Sequence, residues 1–314
     1  MAGHLFIVLD EGPCVLSEQL VAAAGARGLA CALIVAAIVD PLELPQLGPG
    51  DLLYRVGVSD RATVAEQLLC GPGVATFYRD ALGPHRLIDT QCLFLSRHDV
   101  PVPAALYSLP RNEAELRAAV DSVGGLPVIL KQPGHSLGVG VMRLDSWSAL
   151  HSVVDMLRAS VGDQVVLMAA IEPAVHWRII VVAGTCAAAY RNPYRPDDFR
   201  TYVVEEPDYF DRPAPPAAID AALRATEALG LTCGGVDVLV HDSGSVYVLE
   251  VNFPFYFAHP MQAANIDVAA AMVDALLSAP SGSTRRDEPS STAAGVLSDS
   301  TRGDEISSSA ADEP

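Results

Sequence analysis

The chain has 314 residues, half of them hydrophobic and 18% charged, which is enough apolar material for a large buried core. Acidic residues outnumber basic residues by 38 to 20, and the formal net charge of -18 excludes nucleic acids and anionic membranes as electrostatic partners. The longest apolar run, residues 28–39, is shorter than the about 20 residues of a membrane-spanning helix.

The N-terminal residues and the cysteines indicate the compartment. Residues 1–4 lack the basic start and the separate apolar stretch of a secretory signal, and no two of the six cysteines form a Cys-x-x-Cys pair. We expect reduced thiols, most of them in the core, in a cytoplasmic protein.

Strand-like and helix-like segments alternate along the chain, a pattern typical of the α/β class. The first strand, helix and strand, up to Asp40, predict a small three-layer unit, but no Gly-x-Gly-x-x-Gly of a dinucleotide-binding domain follows the first strand. The predicted strands are Leu5–Leu9, Ala32–Val39, Pro127–Lys131, Ile179–Val182, Val236–His241 and Val246–Val251, and the clearest helices are Ser17–Arg27 and Asp267–Leu277.

Glycine and proline turns near residues 85 and 160 mark the expected domain boundaries. They divide the chain into lobes of residues 1–85, 86–160 and 161–279. We expect the active-site cleft between the last two lobes. Residues 280–314 are rich in Ser, Asp, Glu, Ala and Pro and contain too few apolar residues to offset the entropy of ordering, so we expect a disordered acidic tail.

Lys131 is the only lysine in the chain, and it ends a predicted apolar strand. Residues 132–141 follow as a glycine-rich turn that contains Ser136, Gly138 and Gly140, and its backbone amides can approach phosphate oxygens closely. A strand, a lysine and a flexible glycine loop favour a nucleoside triphosphate over an ordinary hairpin. The loop is not a Walker A motif, because no Gly-Lys-Ser/Thr occurs.

Three arginines, Arg178, Arg191 and Arg200, follow this loop. Their spacing predicts guanidinium groups that meet a carboxylate or a transferring phosphoryl group, although each alone is also consistent with a surface arginine. The eight histidines show no metal-ligand spacing and no Ser-His-Asp set, so the sequence does not support nucleophilic hydrolase chemistry.

Residues 235–252 read as two apolar strands around a Ser-Gly turn, which predicts an antiparallel hairpin. If the loop is Ser243-Gly244, Asp237 lies directly opposite Glu250, and Asn252 projects from the same face. Two carboxylates about 5 Å apart repel unless a cation lies between them, and their hard oxygen atoms suit Mg²⁺ or Mn²⁺. The alternative is an ordinary hairpin with a solvated acidic face, and a three-residue loop would misalign the pair.

Together these motifs resemble the ATP-grasp carboxylate-amine ligase superfamily, nearest to its RimK-type glutamate ligases and glutathione synthetases, over most of residues 50–278. The resemblance implies an ATP-grasp fold preceded by a pre-ATP-grasp α/β domain, and it implies ATP with two Mg²⁺ or Mn²⁺ ions. The segments that carry it are Asp51–Arg55, Val100–Pro103, Pro127–Pro133, Met168–Ile171, Trp177-Arg178, Tyr190-Arg191, Asp198–Thr201, Asp237 with Glu250 and Asn252, and Ile266–Ala269.

The resemblance also implies a role for each candidate residue. Phosphates would be held by Lys131, Ser136, Gly138 and Gly140, adenine by the backbone of Met168, Ala169, Ala170 and Ile171, and the metal by Asp237, Glu250 and Asn252. His176 falls at the position of the ribose-side acid, and the developing charge of the reaction would be balanced by Arg178, Arg191 and Arg200.

The chain departs from the family pattern in places that affect the substrates. The family's earlier phosphate-binding lysine has no counterpart, since that spacing gives Ile88 and the nearest cation is Arg86. Tyr202 stands where the family often has asparagine, so we expect a different second substrate. Four aromatic residues within 253–257 replace a small glycine turn, which predicts either a hydrophobic acceptor pocket or simple packing.

We therefore expect an ATP-dependent ligase that joins the carboxylate of an amino acid or peptide to an amine through an acyl phosphate, releasing ADP and phosphate. A small-molecule kinase of the same fold and a nucleotide-binding protein without turnover are the alternatives. The resemblance allows a homo-oligomer, and the sequence identifies neither substrate.

Overall fold

The computed structural model describes residues 3–79, 88–107, 110, 112–132, 138–160, 165–192, 198–200 and 207–279. Arg86, Ser136, Tyr202 and the tail at 280–314 lie outside these described residues. The described residues form three β-sheets and the helices that cover them.

The first sheet is parallel and consists of β1 (His4–Leu9), β2 (Ala30–Val35) and β3 (Leu52–Arg55) in the order β2-β1-β3. Successive side chains of a strand point to opposite faces of its sheet. On one face Leu5 and Ile7 pack with α1 (Val15–Gly25), and on the other Val8 packs with α2 (Asp60–Leu69). The opening strand, helix and strand thus form the three-layer arrangement that the sequence predicts.

The second sheet is antiparallel, with strand order β4-β7-β5-β6. Its strands are β4 (Ala105–Leu106), β5 (Val128–Lys131), β6 (Val141–Leu144) and β7 (Val166–Ala169). Val128 and Leu130 are fully buried beneath α4 (Glu113–Ser122) and α5 (Trp147–Ser160). This sheet presents Lys131 at the end of β5.

The third sheet is also antiparallel, with strand order β11-β10-β8-β9. Its strands are β8 (Ala174–Val182), β9 (Thr185–Asn192), β10 (Cys233–His241) and β11 (Val246–Asn252). One face packs on α6 (Pro216–Ala228). Part of the other face shares a hydrophobic core with α1 and with the last helix, α8 (Val268–Ser278), which follows α7 (Ala258–Ala264). The remaining helix, α3 (Ile88–Ser96), contacts β11.

Three strands differ from their predicted bounds by three or more residues, and one of them is the strand predicted at Val236–His241, which begins at Cys233. The second strand ends at Val35 instead of Val39, because the amides of Ile38 and Val39 donate hydrogen bonds back to the carbonyl of Val35 in a turn. The strand predicted at Ile179–Val182 already begins at Ala174. Its first half carries polar side chains on one face, so the apolar pattern alone does not reveal it.

The aromatic residues after Asn252 belong largely to the core. Phe253 makes edge-on contacts with Tyr54 and Tyr78, at ring distances of 5.8 and 5.2 Å. Phe255 and Phe257 are buried in the core that joins the third sheet to the first. Of the two readings of this segment, the structure therefore favours packing over an acceptor pocket.

The structure also bears on the membrane and disulfide predictions. None of the helices within the described residues is long and apolar enough to cross a membrane. No disulfide joins any of the six cysteines, all of which lie in described segments. Cys92 and Cys233 are fully buried, and the half-buried Cys31, Cys70 and Cys186 pack against hydrophobic cores, so most of the cysteines contribute to the core as expected.

A buried ion pair gives a test of this fold. Arg55 donates to Glu66 over 2.8 Å, both side chains are less than a tenth exposed, and the hydroxyl of Tyr78 donates to the same carboxylate over 3.0 Å. Glu66→Ala leaves the Arg55 charge buried without this partner, so we expect the free energy of unfolding to fall by about 3–5 kcal/mol in denaturant titrations.

The matched control is Glu227→Ala, which removes the exposed partner of Arg79. We expect this variant to lose less than about 1 kcal/mol, because water screens exposed ion pairs. Equal losses in the two variants would contradict the structural role of the Arg55–Glu66 pair.

Candidate active site

The hairpin of β10 and β11 places two carboxylates side by side. Asp237 pairs directly with Glu250, as the sequence predicts. The predicted two-residue loop is wrong, because the amide of His241 donates to the carbonyl of Ser245 and leaves a three-residue loop. A β-bulge corrects the register: Val238 pairs with Val248, so Leu249 has no partner on β10 and the next pair is again Asp237 with Glu250.

These carboxylates belong to a row of polar side chains that crosses the whole third sheet. The paired positions are Glu250 on β11, Asp237 on β10, Arg178 on β8 and Tyr190 on β9. Directly paired residues project from the same face of a sheet. The neighbouring positions Val236 and Val238 point to the opposite face, where they pack on α6. Because successive side chains of each strand alternate between the two faces of the sheet, the polar groups lie together on one face.

Asp237 is the centre of this row and is only 5% exposed. Nε2 of His176 lies 3.0 Å from its Oδ1, and Nε of Arg178 lies 3.2 Å from the same oxygen. The amide of Asn252 donates to Oδ2 of Asp237 over 3.1 Å and to Oε1 of Glu250 over 3.0 Å. One amide thus lies between two carboxylates that would otherwise repel.

The two carboxyl groups have opposite pKa shifts. Burial alone would raise the pKa of Asp237, but the charge of Arg178 and the hydrogen bond from His176 lower it to about 2. Burial and the charge of Asp237 raise the pKa of Glu250, although Lys131 and Asn252 act in the other direction. Asp237 is therefore a stable anion, whereas the charge of Glu250 is incompletely balanced.

This donor set fits a hard divalent cation. Mg²⁺ and Mn²⁺ prefer carboxylate and amide oxygens, which Asp237, Glu250 and Asn252 supply, and a bound cation would balance Glu250. Rotation of the Asn252 amide by half a turn presents its oxygen in place of its NH₂ group. No group of three His, Cys, Asp or Glu side chains that could hold a metal occurs among the described residues, so the amide and oxygens from a ligand would complete the coordination.

Lys131, at the end of β5 in the second sheet, is close enough to Glu250 for its charge to act on that carboxylate. Lys131 pairs with Val141 on β6 and Val166 on β7. Burial raises the pKa of both Glu250 and Cys92, and the positive charge of Lys131 partly offsets this rise. The described ends of the glycine loop follow: the amide of Val141 donates to Gly138, and Gly138 and Gly140 have φ angles of 72° and 75°. Such left-handed conformations explain why glycine occupies both positions.

The segment predicted to bind adenine lies between the second and third sheets. Met168 and Ala169 end β7, and Ala170 and Ile171 lead towards β8. The amide of Ala169 donates to the carbonyl of Ala104. The position of the segment at this connection is compatible with a hinge, and its adenine contact stays a prediction.

The three candidate arginines separate in the structure. Arg178 contacts Asp237, and Arg200 donates to both oxygens of Asp198 and to the carbonyl of Gly138 over 3.2 Å. Arg191 instead pairs with Trp177, whose side chain packs on the α6 face, and its guanidinium donates to Asp211 over 2.9 Å. The structure therefore does not bring Arg191 to the carboxylates, because adjacent residues of a strand point to opposite faces.

The structure adds residues that the sequence analysis did not select. Tyr190 and Asn192 are buried on the same face as Arg178. Gln91 and Cys92 on α3 contact the backbone of β11. The strand register reveals the first two, but no local sequence signal predicts the contacts of α3, which join residues far apart in the chain. The ring of His176 contacts Asp237, and its implied ribose-side role stays a prediction.

Comparisons with known proteins identify the family of this chain. Residues 90–276 match the family model of the RimK-like ATP-grasp domain. A probable alpha-L-glutamate ligase from Rhodopirellula baltica is 25% identical over 280 residues, which cover 83% of this chain and 67% of the relative. A ribosomal protein bS6–L-glutamate ligase from Shigella boydii is 26% identical over 197 residues, 62% of each chain.

Solved structures share the fold. The ATP-grasp ligase PsnB, complexed with precursor peptide PsnA2 and AMPPNP, matches with a TM-score of 0.64 at 18% sequence identity, covering 88% of this chain and 97% of PsnB. This likeness confirms the predicted fold class. Because the matched family model spans more than half of the sequence and includes all three candidate metal ligands, the chain belongs to the RimK-like ATP-grasp family.

Proposed function

We propose that this protein is an ATP-dependent ligase that joins a carboxylate to an amine through an acyl phosphate. The observation that carries the proposal is the facing pair Asp237 and Glu250, with Asn252 between them and the charge of Lys131, on another sheet, acting on Glu250. Membership in the RimK-like ATP-grasp family supports ATP as the nucleotide that the reaction consumes. Its relatives from R. baltica and S. boydii are both named as ligases.

In the first proposed step, a carboxylate oxygen of the substrate attacks the γ-phosphorus of ATP. The bond from this phosphorus to the β-γ bridging oxygen breaks, and ADP leaves with the electron pair. Lys131 and the amides around Gly138 and Gly140 would hold the phosphate oxygens. A divalent cation on Asp237, Glu250 and Asn252 would neutralise negative charge on those oxygens.

In the second proposed step, a neutral amine attacks the acyl carbon, phosphate leaves, and the nitrogen loses a proton. We assign Arg200 to stabilising the developing charge, since its hydrogen bond to the carbonyl of Gly138 holds the guanidinium beside the glycine loop. We assign Arg178 to a supporting role, since its guanidinium contacts the buried Asp237 and the carbonyl of Gly235. Arg191 receives no role in the chemistry, because it lies on the α6 face.

The nucleotide is proposed to lie between the second and third sheets, with adenine on the backbone of residues 168–171. We also propose that the lobes meet near residues 85 and 160. Two metal ions are proposed to bind with the nucleotide. We further propose that the reaction takes place in the cytoplasm, where ATP is available and cysteines stay reduced. Assembly into homo-oligomers stays a prediction.

Peptides or amino acids are the proposed substrates. One relative is named a ribosomal protein bS6–L-glutamate ligase, and the related structure of PsnB contains a precursor peptide. Both names describe reactions or complexes in which a peptide or protein takes part. We therefore propose that one substrate of this protein is a peptide or amino-acid carboxylate.

The first test removes one charge from the proposed metal site. We expect Asp237→Asn to lower ADP formation by more than about a hundredfold, because the cation and Arg178 both lose their anionic partner. The enzyme is incubated with Mg-ATP, hydroxylamine and a pool of amino acids and peptides, and hydroxamates and nucleotides are measured by mass spectrometry. Circular dichroism checks that the variant is folded.

Asp211→Asn is the matched control, since Asp211 pairs with Arg191 away from the site. This variant is expected to keep its activity. Hydroxamate with ADP supports acyl-phosphate chemistry, whereas hydroxamate with AMP indicates adenylation and contradicts it. A stable phosphorylated product without hydroxamate would identify a kinase, and ATP binding without any turnover of the pool would favour a protein that has lost catalysis.

The second test concerns the phosphate contact. We expect Lys131→Gln to weaken ATP binding by about tenfold or more in calorimetric titrations, because a charge-assisted hydrogen bond to phosphate contributes about 1.5–3 kcal/mol. Arg117→Gln is the control, since Arg117 is an exposed cation on α4 of the same lobe. Unchanged ATP affinity in the Lys131 variant would remove this residue from the nucleotide site.

A further inference from the structure

The strand that carries Glu250 lies at an edge of its sheet. Among the strands of the described residues, in the order β11-β10-β8-β9, β11 has a neighbour only on the side of β10. Backbone groups on the free side of an edge strand have no ladder partner and need another source of hydrogen bonds. The position of Glu250 therefore depends on what covers this edge.

Helix α3 covers the edge with side chains that act in place of a neighbouring strand. The side-chain amide of Gln91 donates to the carbonyl of Val251 over 2.9 Å, and its oxygen accepts from the amide of the same residue over 2.8 Å. The thiol of Cys92 donates to the carbonyl of Leu249 over 3.2 Å. We refer to these Gln91 and Cys92 hydrogen bonds as the α3 edge contacts.

The α3 edge contacts lie on the two residues that flank Glu250. Leu249 is the bulge residue, which has no partner on β10, so the ladder is interrupted immediately before the carboxylate. Gln91 and Cys92 are both buried, which protects their hydrogen bonds from competition by water. The contacts therefore fix the backbone on both sides of Glu250 at the point where the sheet itself constrains it least.

We propose that Gln91 and Cys92 are positioning residues that hold Glu250 in register with Asp237 for binding of the divalent cation. The inference rests on the proposed function, since it assigns a task to the same carboxylates. Both residues act on Glu250 through the backbone of β11. Substitution of groups that orient metal ligands typically lowers metal affinity by 10–100-fold, which sets the expected effect.

The test uses the full-length protein with Mn²⁺ as the probe in the presence of ADP. Gln91→Met keeps the length of the side chain but removes its hydrogen-bonding groups. We expect the Mn²⁺ affinity, measured by electron paramagnetic resonance, to fall by about tenfold. Hydrogen exchange of the Val251 amide is measured without metal or nucleotide, and we expect it to lose protection because its acceptor is gone.

Two further variants separate positioning from general stability. Thr226→Val removes a buried hydrogen bond from α6 to its own backbone, on the opposite face of the sheet, and is expected to leave Mn²⁺ affinity unchanged. Cys92→Ala removes the thiol donor, whereas Cys92→Ser retains a donor at this position. If Gln91→Met fails to fold, weaker Mn²⁺ binding in Cys92→Ala, with recovery in Cys92→Ser, supports the proposal.

The outcomes distinguish this inference from the function on which it rests. If the unmodified protein binds Mn²⁺ and ATP but Gln91→Met and Cys92→Ala bind Mn²⁺ as tightly, the positioning role is refuted and the proposed function stands. Equal losses of affinity in Thr226→Val and Gln91→Met also refute it, because a general loss of stability then explains both. If the unmodified protein binds neither Mn²⁺ nor ATP, the proposed function itself fails.

Discussion

The repulsion between the buried Asp237 and the half-buried Glu250 is the constraint on which the site depends. Two carboxylates on paired positions of neighbouring strands destabilise the fold unless positive charge or hydrogen-bond donors surround them. Arg178, His176 and the amide of Asn252 stabilise Asp237, and Asn252 also reaches Glu250. Burial and the charge of Asp237 still raise the pKa of Glu250, which supports the divalent cation that we propose at this position.

The cationic groups come from separate parts of the chain. Arg178 and His176 extend from the central strand of the third sheet, whereas Lys131 belongs to the second sheet. The third sheet organises the carboxylates, and in the proposed reaction Lys131 and the glycine loop of the second sheet would bring the groups that contact phosphate.

The sequence was sufficient to predict the fold class and the facing carboxylates, because local patterns carry both. Lys131 stood out as the only lysine, and the hairpin placed Asp237 opposite Glu250 although its loop was wrong and a bulge at Leu249 restored the register. The face of Arg191 was beyond prediction, since the phase of β9 depends on its pairing with β8. The contact of Gln91 with Val251 was equally inaccessible, because it joins a helix to a strand 160 residues away.

The location of α8 has a consequence for how the chain folds during synthesis. This last helix packs on α1, and Arg27 bonds to Asp274 over 2.5 and 2.6 Å. Its residues Met272 and Leu276 lie in one hydrophobic core with Leu20 of α1 and Ile7 of β1. A ribosome that adds about 5–20 residues per second needs about 12–50 s to reach α8 after finishing α1. During that interval the apolar face of the nascent N-terminal unit lacks its covering helix and stays exposed to water.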